Sequence, residues 1–254
     1  MAPVRLQATA FTHQGAVRPG NEDTVAVGDW NTSEPMAAPA VLEREVAAPL
    51  ICLVADGMGG HAAGEVASRT VAEHLSRRAA EASDDAALAG LLRDADAELF
   101  ALMQENPAWR GMGTTVAGIS VAPARVIAFN VGDSRVYRID EGALVQLSTD
   151  DTPGPKLGDG RTAAMTSNLV TQSLGGAYQL AGIEPHVSGQ PLEDGARYLI
   201  CSDGLTDLVD RTAMEELLDR DDASSAEALF EAAMARGGND NISLILVRIQ
   251  QQRV

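Results

Sequence analysis

Three aspartates stand where an apolar run meets a turn. Asp56 follows Leu50-Ile51-Cys52-Leu53-Val54-Ala55 and precedes Gly57-Met58-Gly59-Gly60-His61; Asp203 follows Leu199-Ile200-Cys201-Ser202 and precedes Gly204; Asp240 lies in Gly238-Asn239-Asp240-Asn241, just before Ile242. Glu22-Asp23 and the turn Gly132-Asp133-Ser134 add further acids, and Arg18 adds a cation beside the Pro19-Gly20 bend. A carboxylate at the end of a buried strand, followed by a glycine that lets the backbone bend and bring a carbonyl close, suits a hard, oxygen-loving cation. Taken singly, each acid also reads as a turn former or a helix cap, and Asn21-Glu22-Asp23 as a solvated loop. If they converge, their repulsion must be offset: two carboxylates ~5 Å apart at an effective dielectric of ~20 repel by roughly 3 kcal/mol. Several such pairs exceed the net stability of a domain, about 5–15 kcal/mol. Bound divalent cations are the remedy, and oxygen ligands without a His or Cys cluster select Mg²⁺ or Mn²⁺ over zinc. Two such ions bridged by one Asp could activate a water and clamp a phosphoryl oxygen, with Arg18 as a phosphate fork.

The elements that must position these groups are legible from periodicity. Val4 to Thr12 and Thr24 to Val27 read as strands around a polar turn, and Asn31 to Pro49, rich in Ala and Pro, reads as a long exposed loop. Val66, Ala67, Thr70, Val71, His74 and Leu75 recur at helical spacing, as do Leu88, Leu91, Leu92, Ala95, Leu99 and Leu102, with Ser83-Asp84-Asp85 as a helix start between them. From Gly113 the period changes. Thr115 to Val121, Arg125 to Val131, Arg135 to Asp140 and Ala143 to Leu147 are β-rich runs whose short connections predict antiparallel hairpins. Asp150 to Thr166 is broken by Pro and Gly into a surface flap, and Thr166 to Leu174 reads as a short helix ending at Gly175-Gly176. Short strands at Val187-Ser188 and Arg197 to Cys201, helices at Ala213 to Leu218 and Ala226 to Met234, and a last strand from Ile242 to Ile249 complete the chain. Strands, helices, more strands, helices and a final strand predict an α+β layering rather than a βαβ series.

Composition sets the outer limits. A chain of 254 residues without a linker predicts one domain with a sizeable core, and 45% hydrophobic with 22% charged residues is ordinary globular usage. The formal net charge of −17 disfavours nucleic acid and anionic membranes as partners. Two cysteines are too few for a disulfide framework and predict a reduced, cytoplasmic chain. Period-two alternation puts Cys52 on the strand face of Asp56 and Cys201 on that of Asp203, so a redox switch competes with a plain packing role. Met1 to Arg5 lacks the pattern of a secretion signal, and no stretch approaches the ~18 apolar residues of a membrane span.

In chain order, Arg18-Pro19-Gly20-Asn21-Glu22-Asp23, Val54-Ala55-Asp56-Gly57-Met58-Gly59-Gly60-His61, Gly113-Thr114-Thr115, Asn130-Val131-Gly132-Asp133-Ser134-Arg135, Cys201-Ser202-Asp203-Gly204-Leu205 and Gly238-Asn239-Asp240-Asn241-Ile242-Ser243 resemble the motifs of the metal-dependent type 2C serine/threonine protein phosphatases in their bacterial form. The resemblance runs from about residue 5 to about residue 249. It implies a four-layer α-β-β-α sandwich, two antiparallel sheets flanked by helices, as a single catalytic domain over residues 1–254. It also implies a pair of Mn²⁺ or Mg²⁺ ions and a third, weaker ion. Asp56 would bridge the pair as a catalytic residue, the Gly57 carbonyl would bind one ion, and Asp203 and Asp240 would hold the other. Glu22 and Asp23 would act through metal-bound water, Asp133 would help hold the third ion, and Arg18 would grip the phosphate as the second catalytic residue. Metal-bound hydroxide would attack phosphorus directly, on phosphoserine or phosphothreonine of proteins phosphorylated by a cognate kinase, with the chain a monomer. A catalytically idle scaffold of the same fold would lack ligands, and none of the core set is missing.

Two places depart from the family pattern. Met58 stands where many eukaryotic members have a histidine proposed as general acid, with His61 nearby as a turn or packing residue. Asp150-Asp151-Thr152 stands where many bacterial members read Asp-His-Ser.

Overall fold

β-branched and aliphatic runs with period two form the strands, and runs with apolar residues every three or four positions form the helices that cover them. The computed structural model describes residues 3–58, 63–153, 169–180 and 182–251. Strands β1 (Val4–His13), β2 (Thr24–Val27), β3 (Trp30–Thr32), β4 (Ala40–Glu45), β5 (Leu50–Ala55) and β6 (Gly57–Met58) lead into helices α1 (Ala63–Arg77) and α2 (Asp85–Glu105). Asp84 caps α2 by accepting the Ala87 amide. Next come β7 (Gly113–Thr114), β8 (Val116–Ala122), β9 (Arg125–Val131), β10 (Arg135–Asp140), β11 (Ala143–Gln146), β12 (Leu174–Gly175), β13 (His186–Pro191) and β14 (Arg197–Cys201). The described chain closes with α3 (Asp203–Thr206), α4 (Arg211–Leu217), α5 (Asp222–Ala235) and β15 (Ile242–Gln251).

The strands form two six-stranded antiparallel sheets, ordered β11-β10-β14-β15-β1-β4 and β13-β9-β8-β5-β2-β3, with a small sheet β12-β7-β6 at one end. Alternation along β5 sorts its side chains between two cores. Ile51, Leu53 and Ala55 pack with Val71, Leu75, Leu92 and Leu99 of α1 and α2, while Cys52 and Val54 pack between the sheets against Tyr198, Ile200, Ile245 and Val247. A third core joins the outer face of the other sheet, at Leu199, Leu244 and Leu246, to Met214 of α4 and Leu229 of α5. The result is the four-layer α-β-β-α sandwich. Burying one Leu or Ile in such a layer contributes roughly 1.5–3 kcal/mol.

Three expectations fail. The stretch from Asn31 to Pro49 is not one long loop, because it contains part of β3 and all of β4. Strand β4 is a sheet edge paired only with β1, and its half-buried and exposed residues alternate, so charged outer positions and the flanking Ala and Pro hide the pattern. Next, β9 and β10 do not form a hairpin: Gly132-Asp133-Ser134 carries the chain from one sheet to the other, with Gly132 at φ +100°. Finally, residues 169–173 are not helical and lead into the strand Leu174–Gly175. The rest of that helix expectation, and the flap from 154 to 166, lie outside the described residues.

Candidate active site

The turns at one end of the sandwich bring the distant acids together. Continuing the alternation of β5 places Asp56 at the end of the inter-sheet layer. The Asp56 carbonyl accepts the Thr115 amide at 2.9 Å and the Thr114 hydroxyl at 2.8 Å, which fixes the strand end. Gly57 is required by crowding, since a Cβ there would run into the carbonyl oxygens of Gly64 and Glu22. Gly64 in turn lets the first turn of α1 approach the Glu22 carboxylate, which a side chain at that position would strike. Asp203 begins α3 directly after β14, and Asp240 and Asn241 precede β15.

Asn241 ties the Arg18 loop to this frame. Its side chain accepts the Glu22 amide at 2.8 Å and donates to the carbonyls of Gln14 and Gly20 at 3.0 and 2.9 Å. Ser68 of α1 donates to the Glu22 carbonyl at 2.6 Å from the other side. Sequence reasoning assigned neither residue a role. The signal available for Asn241 was an amide side chain at a strand start beside Asp240; Ser68 gave none, because a serine on a helix is unremarkable until the packing partner is known.

A cavity of about 410 Å³ opens at this point, lined by Arg18, Glu22, Asp56, Gly57, Asp133, Asp203 and Asp240 among others. Those are all the expected site residues except Asp23. Asp23 is fully buried beneath, where its Oδ2 accepts the Ser202 hydroxyl at 3.0 Å. Consecutive positions on an extended chain face opposite ways, so Glu22 and Asp23 divide between the cavity and its support. Met58, Thr115 and Val170 also line the cavity. His61 lies outside the described residues. The two cysteines are free and buried, their thiols pushed up to about 12 by burial, as packing residues should be. Cys201 packs on the helix side of its sheet, and the chain leaves the strand before Asp203, so the shared face expected for those two does not extend that far.

Electrostatically the cavity is lopsided. Among the described residues five acids line it, Glu22, Asp56, Asp133, Asp203 and Asp240, against one cation, Arg18, whose Nη2 donates to Asp240 Oδ2 at 2.6 Å. Burial, reinforced by Asp23 and Asp203, pushes the Asp56 carboxyl well above the ordinary carboxylate range. Asp203 is raised as well, by burial and by the neighbouring Asp207 and Asp240 carboxylates. Burial raises Asp23 to about 7 and Asp133 to about 6, each with Asp203 as a repelling neighbour. Desolvation also raises Glu22, with Arg18 opposing.

This donor set fits hard divalent cations. Asp23 Oδ1 and Asp203 Oδ1 are buried without a hydrogen-bond partner, and a buried acceptor left unpaired is costly. Among the described residues no three acidic, histidine or cysteine side chains are arranged to hold one ion by themselves.

Comparison with known proteins identifies the family. The family profile described as Protein phosphatase 2C matches residues 40–238, and the chain belongs to that family. It is 35% identical over 255 residues to the serine/threonine protein phosphatase PstP of Mycobacterium tuberculosis, covering 96% of this chain and 45% of the relative. The chain thus spans about half the length of that mycobacterial protein. The serine/threonine phosphatase stp of Listeria monocytogenes is 31% identical over 258 residues, with 95% of both chains covered. Among solved structures, the catalytic domain of PstP in complex with two manganese ions superimposes with a TM-score of 0.78 at 33% identity, covering 98% of this chain and 100% of that one. Among the described residues no helix is long and apolar enough to cross a membrane.

Proposed function

We propose that this chain is a divalent-metal-dependent phosphatase of phosphoserine and phosphothreonine in proteins, opposing a bacterial Ser/Thr kinase in the cytoplasm and working as a one-domain monomer. The observation that carries the reading is the cavity in which, among the described residues, five acids meet a single arginine. The two manganese ions of the PstP catalytic domain support an ion pair here, with Mn²⁺ or Mg²⁺ as the physiological metal.

In this reading Asp56, the Gly57 carbonyl, Asp203, Asp240 and Glu22 hold the pair, and Asp133 helps hold a third, weaker ion. When bound, the ions supply an activated water for direct attack on phosphorus and neutralise charge on the phosphoryl oxygens. Asp23 supports the set from below through Ser202 and its unpaired Oδ1. Arg18 is half-exposed and, among the described residues, is anchored at Asp240 alone, which leaves its fork able to pair with phosphate oxygens. Asn241 and Ser68 fix the loop that aims it. Met58 borders the cavity and carries no titratable proton, so protonation of the leaving serine or threonine oxygen falls to solvent rather than to a side chain there.

The test is phosphate release from a phosphothreonine peptide by chelator-treated protein with and without added Mn²⁺. Turnover restored by Mn²⁺ supports the reading; metal-independent turnover, or an unchanged rate in Asp203→Asn, overturns it. Arg18→Ala is expected to raise KM more than it lowers kcat, because the arginine is assigned to phosphate binding.

A further inference from the structure

The Asp150-Asp151-Thr152 stretch, which departs from the family pattern, is built into the frame of the cavity by a different chemistry from its neighbours. Asp150 pairs with Arg135, whose Nη2 approaches Asp150 Oδ2 at 2.7 Å. Asp151 makes more connections. Its Oδ2 accepts the Gly132 amide at 2.8 Å and the Gln172 side-chain amide at 2.9 Å, and its Oδ1 takes His186 Nε2 at 2.8 Å. Its own backbone amide donates to the Gly132 carbonyl at 3.0 Å, and its carbonyl accepts the Thr171 amide at 2.7 Å.

We propose that Asp151 is a positioning residue: it holds the Gly132 amide, His186 and Gln172 at once, and so fixes the turn that carries Asp133 into the cavity. Gly132 sits at φ +100°, and a Cβ there would strike Thr115, so the turn is tightly placed; Asn130 Nδ2 also donates to the Gly132 carbonyl at 3.1 Å and the Ser134 and Thr115 hydroxyls pair at 2.7 Å, while the Gly132 amide is held by Asp151. The Asp151 side chain is only 12% exposed, which makes its bonds worth more than surface contacts; Gln172 keeps a second acceptor in the Glu184 carbonyl at 3.1 Å, so the Gly132 amide is the donor that loses most when Asp151 is removed. His186 begins β13 opposite Asn130 of β9, the strand that ends one residue before Gly132, so the clip ties the turn to a rigid sheet edge. Because both Asp151 oxygens accept, His186 Nε2 carries the proton in this arrangement. A carboxylate behind a ligand-bearing turn orients the ligand and tunes its affinity without touching the ion.

The inference rests on the metal-dependent phosphatase reading for its activity and Mn²⁺ readouts and on the structure for the exchange readout. Asp151→Ala and the isosteric Asp151→Asn, which keeps one acceptor oxygen and serves if truncation unfolds the chain, are compared with the wild type. Amide hydrogen exchange over residues 129–135 is expected to speed up by about tenfold in Asp151→Ala, the turn opening locally while the sheets stay protected. Calorimetric titration with Mn²⁺ is expected to show the weakest binding phase losing about tenfold in affinity, with the tighter phase unchanged. On a phosphothreonine peptide kcat falls with KM preserved, and His186→Ala shows the same pattern at smaller amplitude. Exchange and Mn²⁺ binding like the wild type in both Asp151 variants would overturn the proposal. So would a uniform loss of every Mn²⁺ phase together with the melting temperature, which marks a general structural role. A wild-type chain that binds Mn²⁺ yet hydrolyses no peptide overturns the phosphatase reading alone, because exchange and titration still report on the turn.

Discussion

Two ends of the same strands treat buried aspartate in opposite ways. At the far end of β14 and β15, Asp222 has a side chain only 6% exposed, held by Arg197 Nη2 at 2.5 Å and by Arg248 Nε and Nη2 at 3.2 Å. Arg197 and Arg248 are register partners across the two strands, so the chain itself supplies both countercharges. At the near end Asp56, Asp203 and Asp240 share, among the described residues, one half-exposed arginine, and two of the buried acid oxygens there have no partner. The first arrangement is complete and serves to lock α5 onto the sheet. The second is incomplete among the described residues, which accords with the proposal that divalent cations complete it.

The sharpest way to break this contrast is to neutralise one acid at each end. Asp56→Asn is expected to lower kcat on a phosphothreonine peptide by about 10²- to 10³-fold, the range for losing one preorganised electrostatic group, and by more than any other single acid substitution in the cavity. In chelator-treated protein the same variant melts no lower than the wild type, since asparagine cannot take the charge that burial and the neighbouring acids already disfavour at that position. Asp222→Ala should do the reverse. It strands two arginines and is expected to destabilise the fold by about 3 kcal/mol, read as a lowered midpoint in urea, with kcat per folded molecule unchanged.

A smaller effect concerns pH. Asp23 at about 7 and Asp133 at about 6 bind their protons more tightly folded than unfolded. Their stabilising contribution is therefore fully present below the ordinary aspartate range and is lost as pH rises through about 6 to 7. Chelator-treated protein should melt several degrees higher at about pH 5.5 than at about pH 8, a shift on the order of 2 kcal/mol. Groups with lowered values, such as Glu81 and Asp221, act in the opposite sense only as pH falls through the carboxylate range, below this window. Saturating Mn²⁺ should remove or invert the slope, because the cations favour the ionised acids.

How much of this was legible in the sequence follows from what is local. Strand, then Asp, then Gly is a local signal, and it located Asp56 and Asp203 as well as the strands that carry them. The burial of Asp23 under the cavity floor was hidden, because two adjacent acids look alike until the direction of the chain is known. Strand β4 was missed because an edge strand needs only a weak alternation, and its charged outer face resembles a loop. The Gly132-Asp133-Ser134 turn looked like a hairpin because the switch between sheets is decided by packing of whole strands, on which a three-residue turn carries no information. Asn241 and Ser68 make their contacts across the layers, at separations in sequence that no periodicity reports.

The central claim, that the acids at the near end are completed by divalent cations, is tested most directly by isothermal titration of Mn²⁺ into chelator-treated wild type and Asp56→Asn side by side. The account predicts at least a pair of ions bound by the wild type, with the pair lost in the variant although it remains folded. No binding to the wild type, or binding that Asp56→Asn leaves unchanged, would contradict it.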